Sequence, residues 1–262
     1  MNILVCVKQV PDTNEVKIDE ENGTLIRDGV PSIINPEDKI ALEEAVSLKE
    51  EKGGRVTVIS MGPPQAKSAL LEAYAIGADE CILLSDRAFA GSDTWATSYT
   101  LAQGIKQAGN FDIIFCGRQA IDGDTAQVGP QIAENLGIPQ ITYVKALEVD
   151  GKKVRAKRAL EDGYSVVETT LPVLLTVIEG LNKPRYPSIS RIVSAFKKED
   201  YIKVWTTEDF EVDKTKLGLD ASPTQVYDTF VPKNEKKGEI FEGSDKELVK
   251  LLLEKLKTEQ VL

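Results

Sequence analysis

The residues with the clearest chemical potential lie in one stretch, Gly117-Arg-Gln-Ala-Ile-Asp-Gly-Asp-Thr-Ala-Gln-Val128. Before it runs Phe111-Asp-Ile-Ile-Phe115, apolar, branched and aromatic in the manner of a buried strand. After it, Ile132, Ala133 and Leu136 fall at helical spacing, with Gly137 and Pro139 as stop signals. The unit reads as strand, polar loop, helix. Asp122-Gly123-Asp124-Thr125 supplies turn chemistry and candidate helix caps. Pro130 would clash with the preceding turn if it lay deep in a helix, yet costs little at the first helical position. Regular helix is therefore expected from near Gly129, leaving Asp124 to Val128 as an irregular entry. Free amides at such an entry, aided by the helix dipole, bind anionic phosphate oxygens, and Thr125 and Gln127 add donors. Spacing by itself fits an ordinary strand-to-helix loop equally well.

Composition excludes several alternatives. The 262 residues contain no histidine, which removes histidine bases, histidine-based triads and histidine metal sites. With 32 Lys and Arg against 42 Asp and Glu, the net charge of −10 argues against nonspecific nucleic-acid binding by the whole surface. Cys6, Cys81 and Cys116 each stand alone in apolar runs, as buried reduced thiols do, and no disulfide framework or Cys-x-x-Cys site is present. The chain starts directly on a strand, without a charged-then-apolar leader, and no apolar run nears the ~20 residues needed to span a bilayer, so a cytoplasmic protein without membrane insertion is expected.

The elements that must position the loop follow in order. Asn2 to Val7 reads as a central strand, because it is almost continuously apolar. Val16-Lys-Ile18 and Thr24-Leu-Ile26 flank a turn and suggest a hairpin. Asn35 is a helix cap with Pro36 at the first helical position, and Ile40, Ala41, Ala45 and Leu48 repeat on one face. Arg55 to Met61 is the second strand, ending at Gly62-Pro-Pro64. A helix carrying Ala66, Leu70, Ala73 and Tyr74 leads to the strand Glu80 to Leu84, and Ser92 or Asp93 caps the helix that runs through Ala108. Such alternation indicates an α/β fold with a mainly parallel, doubly wound, Rossmann-like sheet covered on both faces. Ligands in these folds sit outside the carboxyl ends of the strands. Four loops lie there, Cys6 to Asp12, Met61 to Pro63, Asp86 to Thr97 and Gly117 to Val128, with Asn35 to Asp38 as a fifth candidate. No Gly-x-Gly-x-x-Gly follows the first strand, so a nucleotide must be held differently.

From Gln140 the period becomes two, over Ile141 to Val149, Val154 to Leu160, Tyr164 to Thr170 and Val173 to Ile178, which reads as an antiparallel extension of the sheet. Pro184 to Ile192 is a proline-bounded loop whose Ile189 is either tucked into the core or offered to a partner. Ile202 to Trp205 is strand-like, but Thr206 to Gly238 has no sustained period and cannot make a core alone. Ser244-Asp-Lys-Glu247 is a capping box leading into a leucine-rich helix, read as packing on a second subunit rather than on its own core. The expected division is a nucleotide-binding domain over 1–195 and a C-terminal arm over 196–262.

Arg118-Gln-Ala-Ile-Asp-Gly-Asp-Thr-Ala-Gln-Val128, Asn35-Pro-Glu-Asp38 with Ala41-Leu-Glu-Glu-Ala45, Met61-Gly-Pro63 and Asn182-Lys-Pro-Arg-Tyr186 together resemble the beta subunit of electron-transfer flavoproteins over nearly the full length. The resemblance implies an alpha/beta heterodimer in which this subunit binds an adenine nucleotide, its C-terminal arm embraces alpha, and alpha carries an FAD of its own. Nucleotide contacts would come from Cys6, Val7, Asn35, Pro36, Glu37, Asp38, Met61, Gly62, and from Gly117, Arg118, Gln119, Ile121, Asp122, Gly123, Asp124, Thr125, Ala126, Gln127 and Val128. Tyr186, Ser188, Ile189 and Ile192 match the segment that recognises a partner dehydrogenase. In ordinary members the beta nucleotide is AMP, a structural ligand. In electron-bifurcating members it is FAD, which takes hydride from NADH and serves a low-potential acceptor, ferredoxin or flavodoxin, as well as a flavin-containing dehydrogenase. Arg87, Phe89, Gly91, Ser92, Asp93, Thr94 and Thr97 resemble the bifurcating kind, since FAD requires a second polar loop with small residues for close approach.

Overall fold

The computed structural model describes residues 1–12, 31–197, 201–227 and 238–261. Two compact units divide the chain, Met1–Tyr227 and Asp228–Leu262. The hairpin expected over residues 16–26 lies outside the described residues.

The first unit is built on a nine-stranded sheet. Its early strands are β1 (Asn2–Cys6), β4 (Arg55–Met61), β5 (Glu80–Leu84) and β6 (Ile113–Gly117), all parallel to their neighbours. A short antiparallel ribbon, β2 (Gln9–Pro11) with β3 (Ser32–Ile34), returns the chain from β1 to helix α1 (Pro36–Lys52). The remaining helices of this unit are α2 (Lys67–Ile76), α3 (Thr94–Ala108), α4 (Val128–Leu136) and α5 (Ile189–Lys197). One apolar cluster gathers Ile3, Val5, Phe115 and Val173 from the sheet with Leu42, Val46 and Leu70 of α1 and α2. A second, on the opposite face, gathers Leu4, Ile59 and Ile114 with Leu101, Ile105 and Ile132 of α3 and α4. Alternate residues of each strand thus serve opposite faces, and a strand buried on both sides must be apolar throughout, as Ile3 to Cys6 is.

The second half departs from the sequence expectation in one respect. β7 (Gln140–Asp150), β8 (Lys153–Leu160) and β9 (Gly163–Thr170) do form an antiparallel extension. β10 (Val173–Val177) does not continue it: it turns back, inserts between β6 and β7, and runs parallel to both. All five of its residues are buried, which a central parallel strand demands and an edge strand does not. The sheet order is β11-β5-β4-β1-β6-β10-β7-β8-β9, where β11 (Ile202–Trp205) pairs with β5.

β11 carries the first compact unit past the boundary drawn at residue 195. Beyond it the segment 206–227 buries Phe210 and Leu217 in the second apolar cluster, so this stretch does contribute to a core, borrowed from the domain. In the second unit, helix α6 (Asp245–Thr258) is started by Glu247, which accepts a hydrogen bond from the Ser244 amide at 3.0 Å. None of its residues is buried, and Val249, Leu251, Leu252 and Leu253 are all exposed. Among the described residues no helix is long and apolar enough to cross a membrane.

Candidate functional site

Chain order places the topological switch between β1 and β6. From β1 the chain winds one way through α1, β4, α2 and β5, then returns through α3 to β6 on the other flank of β1. The carboxyl ends of β4, β1 and β6 therefore lie side by side and bring Met61, Cys6 and Gly117 to one edge, where such folds leave a crevice. The Val7 amide donates to the Ile59 carbonyl at 2.9 Å and the Gly62 amide to Leu84 at 3.0 Å, so the ends of β1, β4 and β5 remain knitted together.

Asn35 to Asp38 lie against this edge. Asp38 is buried, and its two carboxylate oxygens accept from the amides of Lys8 at 2.8 Å and Gly117 at 3.0 Å, joining the ends of β1 and β6 across the switch. Burial pushes its carboxyl up to about 7, although these amides and the Asn35 side chain pull the other way. Asn35 was expected to cap α1, but its side chain makes no cap bond. It donates instead to the Gln119 carbonyl at 2.8 Å and accepts from the Ile121 amide at 3.1 Å. A fully buried amide must satisfy both ends, and the loop after β6 offers a donor and an acceptor together. Glu37 accepts from the Gln119 amide at 3.0 Å and pairs with Arg118 at 3.2 Å; burial raises its carboxyl above the ordinary value. Pro36 is the exposed member of the four.

The loop itself is held at further points. Lys8 pairs with Asp122 at 2.7 Å, and the Gln119 side chain donates to Asp124 at 2.7 Å. Asp124 and Ala126 have φ of +49° and +53°, left-handed values that cost a non-glycine residue about 1–2 kcal/mol each. Asp124 was a candidate cap for α4, but the position before that helix belongs to Gln127, whose side chain makes no cap bond, and Pro130 lies within the first turn. Among the described residues the amides of Thr125, Ala126, Gln127, Val128 and Gly129 donate to no protein acceptor. With Ala126 left-handed and Gln127 right-handed, successive amides open to the same side, the arrangement of an anion-binding nest at a helix start. Gly123 is exposed, and a Cβ there would meet nothing within 4 Å. The donors, the free space and the pairing of Asp122 and Asp124 with other groups together fit a phosphate.

The second loop, Asp86 to Thr97, is spent largely on the chain itself. Of the two caps the sequence offers, Ser92 and Asp93, it is Asp93 that caps α3, through the amides of Trp95 and Ala96 at 2.9 and 3.0 Å. Its other oxygen accepts from the Thr224 amide and hydroxyl, and these bonds hold its carboxyl below the ordinary range against some burial. The Asp93 amide donates to Ser222 at 2.8 Å. Gly91, at φ +72°, is covered by Leu219, whose Cβ would lie 2.9 Å from an added methyl. Ser92 donates to the Phe89 carbonyl, and Phe89 is buried against Phe210. Thr94 connects to the first loop, donating to Gln127 at 3.0 Å, while Thr97 lies one turn further along α3 and Arg87 is exposed. Asp86 was not singled out in the sequence; its side chain accepts from Ala88 and from the Thr207 amide and hydroxyl, fastening the start of the 206–227 segment.

Tyr186 and Ser188 lie on the segment entering α5, and Ile189 and Ile192 in the first turn of that helix, where the sequence reading had expected loop. Ile189 is 79% exposed, so of its two sequence alternatives it takes the outward one, and Tyr186 is 95% exposed. Arg185 braces the segment on α1 through Glu43 and Glu50, at 2.8 and 2.6 Å, and Asn182 binds Glu44 there.

Sequence comparison agrees with this architecture. The profile of the electron transfer flavoprotein domain matches residues 22–204. The electron transfer flavoprotein subunit beta of Thermoanaerobacterium thermosaccharolyticum is 60% identical over all 262 residues of this chain and the whole of its own length. That of Clostridium acetobutylicum is 59% identical over the same full lengths, and the caffeyl-CoA reductase-Etf complex subunit CarD of Acetobacterium woodii is 52% identical, again with both chains fully covered. The chain belongs to the electron transfer flavoprotein family, among its beta subunits.

Proposed function

We propose that this protein is the nucleotide-binding beta subunit of an alpha/beta electron transfer flavoprotein, and that the nucleotide is FAD. The observation that carries the reading is the run of amides from Thr125 to Gly129, without a protein acceptor among the described residues, at the switch between β1 and β6 and with Asp124 and Ala126 left-handed. These amides hold phosphate oxygens, Gly123 leaves room for their approach, and Cys6, Val7, Met61 and Gly62 floor the crevice at the strand ends. Thr94, Thr97 and Arg87, reached from the cradle through the Thr94 to Gln127 bond, hold the more distant part of the cofactor. Bound here, FAD would supply the redox chemistry, hydride acceptance from NADH and one-electron transfer to ferredoxin or flavodoxin and, by way of the alpha-subunit FAD, to a flavin-containing dehydrogenase. With no histidine in the chain, the protein's part is to bind, orient and shield rather than to relay protons through imidazole. The likeness to CarD, named for a caffeyl-CoA reductase-Etf complex, supports a dehydrogenase-type partner. Tyr186 and Ile189 offer that partner an apolar contact, and the leucines of α6 are buried against alpha.

A second reading, AMP as a structural ligand, is favoured by Gly91, Ser92 and Asp93, whose identities are accounted for by Leu219, Phe89 and Thr224 without any cofactor. Extraction of the purified heterodimer decides between the two. Two FAD per dimer supports the first, and one FAD with one AMP establishes the second.

A further inference from the structure

We infer that Asn35, Glu37 and Asp38 are positioning residues: they form a mould that sets the shape of the Gly117 to Asp124 loop and so governs nucleotide affinity without their side chains touching the nucleotide. The inference rests on the reading of that loop as the cradle. Every polar side-chain atom that could face a ligand is already committed. Asn35 is fully buried with donor and acceptor used by Gln119 and Ile121. Both Asp38 oxygens are taken by the amides of Lys8 and Gly117. Glu37 is occupied by the Gln119 amide and by Arg118.

The bonds alternate along the loop in a way that random contact would not. The amides of Gly117, Gln119 and Ile121, every second residue, are received by Asp38, Glu37 and Asn35 in turn, so the loop runs antiparallel to the start of α1 like a strand paired with side chains instead of a backbone. The Gly117 bond is buried and those of Gln119 and Ile121 part-buried, and an amide withdrawn from water without its acceptor is costly, so the loop is held to this path at three points. The fixed path delivers Asp124 and Ala126 to their left-handed conformations, which an unconstrained loop would relax. The free amides then stand ready before a ligand arrives, which is preorganisation. Pro36 has no N–H to donate, and the Asp38 amide donates to the Asn35 carbonyl at 3.0 Å, so the α1 start is turned to the loop rather than held open for an anion.

The test uses the full-length protein, stripped of nucleotide, with AMP and FAD as separate probes. Amide exchange at Gln119 and Ile121 is measured together with nucleotide dissociation for Asn35→Asp, Glu37→Ala and Glu37→Gln. Asn35→Asp keeps the acceptor for Ile121 but sets a carboxylate oxygen against the Gln119 carbonyl. Glu37→Gln keeps the acceptor for the Gln119 amide and is the rescuing variant. Exchange in β10 reports whether the core is intact, and Glu37→Ala, at a partly exposed position, guards against a variant that does not fold. The expected result for Asn35→Asp and Glu37→Ala is loop exchange and nucleotide dissociation both faster by about 10- to 100-fold, the effect of one lost part-buried bond, with β10 unchanged and Glu37→Gln near the parent. Faster dissociation with unchanged loop exchange would overturn the inference, since the side chains would then touch the nucleotide directly. Faster loop exchange with unchanged dissociation would leave the loop moulded but remove it as the cradle, and the role proposed here would fall with that reading.

Discussion

Two glycines of one loop separate a structural close approach from a ligand approach. At Gly117 an added Cβ would lie 2.4 Å from an Asp38 carboxylate oxygen and 2.9 Å from the Asp38 nitrogen and the Glu37 carbonyl carbon. Two of these three atoms are backbone of the first turn of α1, so little can yield. Gly117→Ala must push β6 and α1 apart, at about 1–3 kcal/mol for overpacking. It also strains or breaks the bond from its own amide to Asp38, and above pH 7, where that carboxyl is ionised, a hydrogen bond to a charged group contributes about 1.5–3 kcal/mol. The combined loss of about 2.5–6 kcal/mol is a large part of the 5–15 kcal/mol typical of a domain. Gly123 is the contrast, because its φ lies outside the left-handed region and the space around a Cβ is open. Gly123→Val should leave the stability of the nucleotide-free chain within about 0.5 kcal/mol. With the loop as the proposed phosphate cradle, it should nonetheless weaken nucleotide binding by at least about 10-fold, because a side chain would then occupy the open space left for a phosphate. Urea unfolding of the stripped protein reads the first quantity, and calorimetric titration with AMP and FAD the second. Full binding by Gly123→Val would show that no phosphate comes near this position. A Gly117→Ala protein as stable as the parent would refute the contact between β6 and α1 on which the site geometry depends.

Other outcomes follow from single contacts. Since burial lifts Asp38 from 3.8 to about 7, its protonated form is favoured in the fold. Its stabilising contribution is complete below about pH 4 and is lost as pH rises through 7. The difference between parent and Asp38→Asn stability should therefore change across pH 4–7, with Glu37 the neighbouring carboxyl that reinforces the shift; parallel urea midpoints at all pH values would refute it. Asp93→Ala should cost about 1–2 kcal/mol through the lost α3 cap, and limited proteolysis should then cut near Thr224, which the same carboxylate holds. Replacing exposed Leu252 and Leu253 together by serine should leave unfolding of the chain unchanged while weakening association with the alpha subunit by at least about 10-fold, as loss of two buried leucines would; unchanged association in analytical ultracentrifugation would remove α6 from the interface. Arg185→Ala should destabilise by about 1–3 kcal/mol, because the buried Glu43 loses its charged partner, and should expose the 183–188 segment to protease.

Local chemistry made much of this legible before any coordinates. The Asp93 cap, Pro36 at the start of α1, the Glu247 box and the strand ends at Met61 and Gly117 depend on residues within a few positions of one another, and the structure has each of them. The position of β10 did not follow, because an apolar run of five residues reads the same on an edge or between two parallel strands, and only the fold inserts it beside β6. Gly91 and Asp93 carried a cofactor meaning in the sequence that Leu219 and Thr224 account for in space, the latter 131 residues away. Likewise the segment 206–227, without a period of its own, gains a core only because α3 and β5 supply the other half. The sequence by itself determined where many elements begin and end, and that a polar loop joins β6 to α4, since turns, caps and periodicity are short-range. Tertiary structure alone decided what Asn35 and Asp38 do, since a buried polar side chain takes whichever donor the fold brings within hydrogen-bond reach, and here those donors are 30 to 86 residues away.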